Sequence, residues 1–482
     1  MSDTQPYAEL LLAIAGVGIV ALVSNRVSER IRVPAPALFL VAAAIVVNAI
    51  TPLKAPPEQT VERIVVLALL FILFDGGMHI GLRRFREAAA PILVVGVVGT
   101  FATTAAIAVL AHLAFGLDWY ISVLLGTALA PTDPAVVFSV LGRREITGRT
   151  STILEGESGA NDPVGIALLV SLLGAHELST GAFGHVAGEF AIQMSVGAVL
   201  GVLSGRSLLW TMRRVPLSSE GLHTLRSMAW VLGTYGLTTV AHGSGFLAVL
   251  VAGIIVGDER APFKREIERF HGALASLGEV AAFVVLGLTV DLGEIAHANV
   301  WVPGLVLGLL LAFVLRPVLV GLCLLPARLR RNEAAFVLFA GLKGAVPILL
   351  GTLILTAGVD HAQRVYGIVI VVVVVSVVLQ GGLVPDVARW LKLPMTESNP
   401  QPYALGVRLA EEPEGVLRLR VRPGSAADGV TVDELAETVG NIWVNLVVRQ
   451  ERLLTVRGDT ELRAGDEVVV SAQDDSVRDA FS

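Results

Sequence analysis

The stretch from Ala128 to Leu169 reads ALAPTDPAVVFSVLGRREITGRTSTILEGESGANDPVGIALL. Two long apolar runs meet in it, and both carry acidic side chains where a membrane helix would normally have none. Asp133 lies between two prolines, and Asp162 follows Asn161 early in the second run. A charge at the centre of a bilayer costs roughly 2.5–3.5 kcal/mol on insertion scales, so it persists mainly where it has a task. The pattern predicts that Asp162, with Asp133 and their neighbours, binds a cation or a proton inside a transporter.

The composition of the whole chain indicates a membrane protein. Of its 482 residues, 54% are hydrophobic and 16% are charged, whereas a soluble domain has about 25% charged residues. Apolar runs of about 18 residues or more indicate membrane spans. About thirteen candidate spans lie between residues 7 and 387, and two of them are short enough to need flanking residues to complete a span. No basic residue precedes the first segment, residues 7–23, so we expect a retained span and not a secretory signal peptide.

Basic residues are concentrated in every second loop, as the positive-inside rule requires. Clusters of basic residues occur at residues 26–32, 83–86, 143–149, 213–226, 260–269 and 328–331. The intervening loops carry little positive charge. This pattern predicts an odd number of spans in the cell (inner) membrane, with the N-terminus outside and the C-terminal part in the cytoplasm.

Two predicted spans are interrupted by helix-breaking residues. The fifth contains PTDP at residues 131–134, and the twelfth contains GLKGAVP at residues 341–347. Proline removes a backbone donor and glycine lets the chain unwind. Two inverted halves joined by one span would place these breaks at equivalent positions, and such paired broken helices point to a transporter's binding site. The alternative is that the prolines merely kink packed helices, but each break also carries an ionisable residue.

Oxygen-bearing side chains surround the two acids. Glu157 and Ser158 precede Asp162 by about one helical turn, so they are predicted to share its face of the helix. Carboxylates, the Thr132 hydroxyl and carbonyls freed at the break would suit Na⁺ or K⁺. A carboxylate partly removed from water favours its protonated form, so a proton and a cation can compete for it, and this competition gives exchange. A helix cap or a buried salt bridge is the alternative for Asp162.

Two basic side chains also lie at predicted membrane depth. Arg316 precedes Pro317, and Lys343 lies in the second break. Neither side chain can lie in lipid alone. We expect Arg316 to pair with Glu157 and Lys343 to balance the broken-helix ends near Asp133, and we interpret both as structural-electrostatic residues and not as ion ligands.

The composition and the hydrophobic pattern of the chain change after residue 391. Residues 392–402 form a polar, proline-containing linker, and residues 403–482 alternate short β-type runs with a helix suggested for Ala426–Val439. From Gln401 onward the chain holds 9 arginines, no lysine and 15 acidic residues, which accounts for the whole net charge of −6. We therefore expect a transmembrane exchanger domain at residues 1–391 and a small α+β cytoplasmic domain, with no nucleic-acid partner.

Six motifs together resemble the bacterial monovalent cation/proton antiporter-1 family. They are PTDPAVVFSVLG (131–142), ILEGESGANDPVGIAL (153–168), FVVLGLTV (283–290), LRPV (315–318), GLKGAVPI (341–348) and VVLQGGLVP (377–385). The resemblance covers nearly the whole membrane part. It implies an all-α polytopic protein of about thirteen helices with inverted repeats, crossed broken helices, a homodimer, and a core domain that moves against a dimerisation domain.

The resemblance also carries residue roles to matching positions. The implied site residues are Asp133, Asn161 and Asp162, with Thr132 and Ser158 as further ligands and with Glu157 and Arg316 as a stabilising pair. An Asn-Asp pair in place of Asp-Asp implies the electroneutral branch, in which one proton exchanges for one cation. The family commonly has arginine where this chain has Lys343, which keeps the charge but loses the bidentate geometry.

The segment GDTELRAGDEVVV (458–470) resembles the C-terminal subdomain of the regulator of K⁺ conductance domains. Such modules dimerise and often sense a small ligand. This part of the resemblance favours K⁺ over Na⁺ as the transported ion, by analogy of fold and not by site chemistry.

The sequence therefore predicts a secondary antiporter, not an enzyme, that exchanges cytoplasmic K⁺ (or Na⁺) for H⁺ by alternating access, with Asp162 as the shared carboxylate. The alternatives are a Na⁺/H⁺ antiporter for sodium and pH homeostasis, a cation channel gated by the tail, and a non-transporting sensor. A channel should have a carbonyl-lined filter, and no TVGYG-like run occurs. No cofactor is expected. The only metal ions expected at Asp162 and Asp133 are the transported ones, and the C-terminal domain could bind a small regulatory ligand.

Overall fold

The computed structural model describes eleven ranges and a few isolated residues between 16 and 28. The ranges are 33–49, 56–141, 144–146, 149–175, 180–293, 299–327, 329–397, 416–440, 442–449, 452–472 and 477–481. The chain divides into two compact units, Met1–Asn399 and Pro400–Ser482. The predicted span at residues 7–23 lies almost wholly outside the described residues. So do residues 398–415, which include part of the predicted linker.

The first unit consists of apolar helices. They are α1 (Ala35–Ala49), α2 (Glu58–Leu93), α3 (Thr100–Phe115), α4 (Trp119–Leu129), α5 (Pro134–Leu141), α6 (Arg149–Ala175), α7 (Thr180–Arg214), α8 (Glu220–Val240), α9 (Gly245–Gly257), α10 (Lys264–Leu288), α11 (Trp301–Leu310), α12 (Arg316–Leu324), α13 (Arg331–Phe339), α14 (Ala345–Thr356), α15 (Ala362–Val375) and α16 (Gly381–Trp390). Within the described residues, 7 helical stretches are long and apolar enough to cross a membrane, and α1, α9 and α14 are shorter apolar helices. The predicted polytopic helical fold is confirmed.

Several of these helices continue into one another without a loop. Gly81 in α2 has φ 66° and ψ 163°, a left-handed backbone conformation that glycine adopts because it has no Cβ. The third and fourth predicted spans join there. Three π-helical turns, Val94–Gly99, Leu311–Leu315 and Ser376–Gln380, connect α2 to α3, α11 to α12 and α15 to α16. Such turns are frequent at functional sites.

Both predicted helix breaks are present. Residues 130–133 separate α4 from α5, and residues 340–344 separate α13 from α14. Pro134 opens α5, where its missing N–H costs nothing because the first N–H groups of a helix have no intrahelical acceptor. The two breaks cross each other, since the backbone N–H of Asp133 donates to the carbonyl of Leu342 at 2.8 Å.

The broken helices and α6 form the interior of this unit. The most apolar window is 78% buried in α6 and 72% buried in the stretch of α4 and α5, but only 17% buried in α7. Therefore α7 lies at the periphery, with few of its side chains buried. A short ribbon of β1 (Arg144–Ile146) and β2 (Met395–Glu397), paired antiparallel, completes the unit.

The second unit is a small antiparallel sheet with two short helices, as the α+β prediction required. Its strands are β3 (Val416–Arg420), β4 (Ile442–Arg449), β5 (Arg452–Leu454) and β6 (Glu467–Ala472), in the order β3-β6-β4-β5. Its helices are α17 (Val432–Val439) and α18 (Val477–Phe481). Its core is apolar, with Val447, Leu462, Val468 and Val470 fully buried.

The helix of this unit begins later than predicted, at Val432 and not at Ala426. Thr431 caps it, because the Thr431 hydroxyl accepts the N–H of Glu434 at 3.3 Å. The Glu434 carboxylate in turn accepts the N–H of Thr431 at 2.8 Å. This capping box satisfies two free helix donors and fixes the start of α17.

Candidate functional site

The crossing of the two breaks brings four helix ends together. α4 and α13 end there, and α5 and α14 begin there. The first N–H groups and last carbonyls of a helix have no intrahelical partner. They carry partial charges, positive at the start and negative at the end. Each end therefore needs a side chain of opposite charge or a polar partner, because the region is buried.

Asp133 lies at the two positive ends. Its Oδ1 accepts the N–H of Ala135 in α5 at 2.9 Å, and its carboxylate also accepts a backbone hydrogen bond from Ala345, the first residue of α14. Gly344 permits this approach, since a Cβ there would collide with the Asp133 carboxylate. One carboxylate therefore stabilises the starts of both half-helices. Its predicted role as an ion ligand stays a prediction.

Lys343 lies at the negative end of α4, as expected. Its Nζ donates to the carbonyls of Ala130 at 3.0 Å and Pro131 at 2.9 Å. The side chain is 3% exposed. Its own backbone N–H donates to the hydroxyl of Ser376 at 3.0 Å. The Lys343 ammonium group thus satisfies carbonyls that would otherwise be buried without a hydrogen-bond donor.

Arg316 lies at the negative end of α13 and forms the predicted ion pair with Glu157. Nη1 donates to Oε1 at 2.7 Å and Nη2 to Oε2 at 2.9 Å, in a bidentate arrangement. The same guanidinium donates to the carbonyls of Leu338 and Val337, each at 3.1 Å. Both partners are buried, with Arg316 5% and Glu157 2% exposed. Both carboxylate oxygens of Glu157 are therefore engaged in a structural ion pair.

Two polar side chains at this crossing were not predicted from the sequence. Gln380 Nε2 donates to the carbonyl of Phe339 at the end of α13. Ser376 donates to Gln380 Oε1 at 3.1 Å while it accepts the N–H of Lys343. Both lie in the π-helical turn Ser376–Gln380. A serine and a glutamine four residues apart in a valine-rich run were the available signal.

Asn161 connects the first break to α6. Its Nδ2 donates to the hydroxyl of Thr132 at 2.8 Å, and its Oδ1 accepts the N–H of Thr132 at 3.4 Å. The Thr132 hydroxyl donates onward to Glu157 at 3.4 Å. These three side chains are buried. The network holds the unwound segment against α6 and links it to the Arg316 ion pair.

Asp162 has fewer hydrogen-bond partners than Asp133 or Glu157. It is 7% exposed. Ser158 donates to its Oδ2 over 3.4 Å, a long hydrogen bond. Its Oδ1 has no hydrogen-bond partner in the part of the chain that the structure describes. A buried acceptor without a donor is costly, so this oxygen is placed to take a proton or a cation.

The structural alternatives for Asp162 do not fit its position. It lies inside α6, thirteen residues after the start of that helix at Arg149, so it caps no helix end. Among the described residues it forms no ion pair, since Arg316 pairs with Glu157 and Lys343 binds carbonyls. Its own carboxylate and the Ser158 hydroxyl are oxygen groups of the kind that hard cations prefer.

Comparisons with known proteins cover both units. Residues 17–390 match the family model described as sodium/hydrogen exchanger, transmembrane, and residues 416–482 match the TrkA-C domain. The K⁺/H⁺ antiporter NhaP of Alkalimonas amylolytica is 32% identical over 470 residues, covering 95% of this chain and 80% of that protein. The K⁺/H⁺ antiporter NhaP2 of Shewanella sp. (strain MR-4) is 30% identical over 485 residues, covering 98% of this chain and 83% of that protein.

A solved structure has the same fold as the first unit. The sodium proton antiporter MjNhaP1 from Methanocaldococcus jannaschii superposes with a TM-score of 0.67 at 21% sequence identity. The match covers 80% of this chain and 99% of that chain. At this identity the likeness shows the fold alone.

Proposed function

This chain belongs to the sodium/hydrogen exchanger family, and from that premise we propose that it exchanges cytoplasmic K⁺ for H⁺ with Asp162 as the carrier. Family membership makes it a multi-pass membrane protein and a monovalent cation/proton antiporter. The identity of the cation, the carrier residue and the stoichiometry belong to the proposal.

The Oδ1 of Asp162, which has no hydrogen-bond partner among the described residues, is the observation that carries the assignment of the carrier. Glu157 is held by Arg316 in a bidentate pair, and Asp133 accepts N–H groups at two helix starts. Releasing either carboxylate would leave a buried charge or buried helix ends without compensation. Asp162 can exchange a proton for a cation without this cost, and the Ser158 hydroxyl beside it can serve as a further ligand of the cation.

The same assignment supports a one-to-one exchange. A single carboxylate carries either one proton or one monovalent cation, so the charge of the loaded site is the same in both directions. Asn161 is neutral and already bonded to Thr132, so it adds no second titrating group beside Asp162. We therefore propose an electroneutral cycle whose rate does not depend on the membrane potential.

The hydrogen-bond network supports movement of the site as one body. Buried contacts of Asn161 and Glu157 link α6 to the first break and to Arg316 in α12. Arg316 in turn binds the last carbonyls of α13, next to the second break. A body held together in this way can shift against the peripheral helices and expose Asp162 to alternate sides. The protein is proposed to act as a homodimer in the cell (inner) membrane, with its N-terminus outside and the TrkA-C unit in the cytoplasm.

Two observations support K⁺ as the transported cation. The named relatives that cover most of the chain are K⁺/H⁺ antiporters, and the second unit matches a TrkA-C domain. That unit is proposed to sense a small ligand and to regulate exchange. A Na⁺/H⁺ exchanger is the second candidate, because the matching family model is described as a sodium/hydrogen exchanger. No catalytic reaction and no bound cofactor are part of either cycle.

Proton release measured in proteoliposomes with a pH-sensitive dye tests this proposal. The full-length protein should dissipate a proton gradient at lower K⁺ than Na⁺ concentrations, and an imposed membrane potential should leave the rate unchanged. A preference for Na⁺ would support the second candidate. Large currents driven by voltage and unaffected by the pH gradient would instead identify a channel and would overturn exchange.

A further inference from the structure

Beyond ion exchange, we propose that the end of α7 binds the phosphate head group of an anionic phospholipid. A cavity of about 510 Å³ is lined by residues of α2, α7, α9 and the loop that follows α9. Its lining includes Arg206, Arg213 and Arg214, together with Trp210 and one acid, Glu259. None of these residues belongs to the site at the crossed helix breaks.

The electrostatics of the cavity favour an anion. Arg213 is neutralised, because its Nη2 lies 2.5 Å from Glu259 and also donates to the carbonyl of Arg260 at 3.1 Å. Arg206 and Arg214 are exposed, and their side chains make no ion pair or hydrogen bond with any residue that the structure describes. Two guanidinium groups are therefore free to bind a ligand, and guanidinium matches phosphate in bidentate geometry.

An exposed apolar stripe on α7 leads to these arginines. Ile192, Val199 and Leu203 are 55%, 58% and 56% exposed, and Trp210 is 62% exposed. At 3.6 residues per turn, these positions together with Arg206 fall within a sector of about 60° on the helix surface. The stripe and the arginine therefore face the same way.

The length of the stripe matches one leaflet of a bilayer. The rise from Ile192 to Leu203 is about 17 Å at 1.5 Å per residue, close to half of a hydrocarbon core about 30 Å thick. Arg206 follows about one turn later, at the depth of the lipid phosphate. Trp210 lies where aromatic side chains collect at the membrane interface. An acyl chain on the stripe would thus place its phosphate at Arg206.

This geometry distinguishes a lipid from the other occupants. A soluble phosphate would use the arginines but would leave the stripe uncovered. A second copy of this chain, packed through the same stripe about a two-fold axis, would place the arginine cluster opposite itself. Basic pockets between transmembrane helices bind acidic head groups, and each basic residue near the surface contributes about 1 kcal/mol. The stripe, the tryptophan and the two free arginines together fit one anionic lipid.

Lipid titration of the purified full-length protein, with native mass spectrometry as the readout, tests the inference. Phosphatidylglycerol, phosphatidylcholine and inorganic phosphate are the probes. The double variant Arg206→Gln/Arg214→Gln should bind phosphatidylglycerol about 25-fold more weakly, since each arginine is expected to contribute about fivefold. The variant Arg206→Lys/Arg214→Lys keeps both charges and should retain most of the affinity. The matched control Arg269→Gln/Arg331→Gln, at exposed arginines outside the cavity, should bind as the parent does.

Three results would overturn the inference. One is equal phosphatidylglycerol affinity in the parent and in the Arg206→Gln/Arg214→Gln variant. Another is inorganic phosphate binding as tightly as phosphatidylglycerol, which would identify a soluble-anion site. The third is loss of the dimer mass in the variant without loss of bound lipid, which would assign the stripe to a second copy. If the double variant fails to fold, the single variant Arg206→Gln decides, with an expected weakening of about fivefold.

Discussion

Replacing Arg316 by methionine is expected to destabilise the membrane unit strongly. Methionine keeps a long flexible side chain but removes every N–H donor of the guanidinium. Glu157, which is 2% exposed, would then remain buried without its partner at 2.7 Å. The carbonyls of Val337 and Leu338 at the end of α13 would also lose their donor.

The size of the effect follows from these two losses. Breaking a buried ion pair from one side costs about 3–5 kcal/mol, because the remaining charge is uncompensated. We therefore expect Arg316→Met to lower the free energy of unfolding by at least about 3 kcal/mol. In the double variant Arg316→Met with Glu157→Gln, the buried charge is gone. The expected loss then falls to about 1–3 kcal/mol, the cost of the unsatisfied carbonyls.

Equilibrium unfolding of the full-length protein in mixed micelles measures these differences. Arg83→Met is the matched control, because Arg83 pairs with Glu87 over 3.5 Å with both side chains exposed, 85% and 67%. An exposed pair of this kind contributes about 0–1 kcal/mol. The reasoning is refuted if Arg316→Met costs no more than Arg83→Met, or if the costs of the two single substitutions simply add in the double variant.

Three further predictions concern other parts of the chain. Lys343→Met should lower the free energy of unfolding by about 1–3 kcal/mol because two buried carbonyls lose their donor. Lys343→Arg keeps the charge and should lower it less, and equal free energies of unfolding for the two variants would contradict this. Ser158→Ala should raise the cation KM about fivefold, as expected for one lost hydroxyl ligand, with little change in maximal rate in the dye assay; an unchanged KM would exclude Ser158 as a ligand. Burial raises the pKa of Asp466, but the hydrogen bond and charge of Arg449 and the backbone of Arg463 outweigh it and lower the pKa below 3.8. Its stabilising contribution is therefore complete above pH 3.8 and is lost as the pH falls through the folded-state pKa. Asp466→Asn should accelerate amide exchange of residues 442–449 about tenfold or more at neutral pH, with the difference shrinking in acid, and equal exchange at neutral pH would contradict it.

The helix breaks and the ion pair were predictable because their signals are local. PTDP and GLKGAVP each combine proline or glycine with a charged residue in a short apolar stretch, and both located a break. A single proline was not sufficient, since Pro163 lies inside the continuous helix α6. Arg316 and Glu157 lie far apart in sequence, but each is too costly to bury alone. The need for charge compensation therefore predicts that the two side chains pair.

The contacts that occupy Asp133 could not be read from the sequence, although Asp162 was predicted as the shared carboxylate. Both Asp133 and Asp162 are acids at membrane depth, and the same cost applies to each. The contact of Asp133 with the second break depends on the crossing of the two breaks, which brings the helix start at Ala345 close enough to donate to its carboxylate. The contacts of Ser376 and Gln380 were missed for a related reason, since a π-helical turn depends on packing and not on a breaker residue.

The exchange activity of Asp162→Asn tests the central claim most directly. Asparagine keeps the shape of the side chain but carries neither a proton to release nor a charge for a cation. The matched control is Glu155→Gln, also in α6, where the carboxylate accepts a hydrogen bond from Ser151 at 2.8 Å. In proteoliposomes that contain equal amounts of folded protein, we predict no cation-driven proton release by Asp162→Asn above protein-free liposomes, and activity close to the parent for the control. Cation-driven proton release by Asp162→Asn at a rate comparable to the parent would contradict the assignment of Asp162 as the exchanged carboxylate.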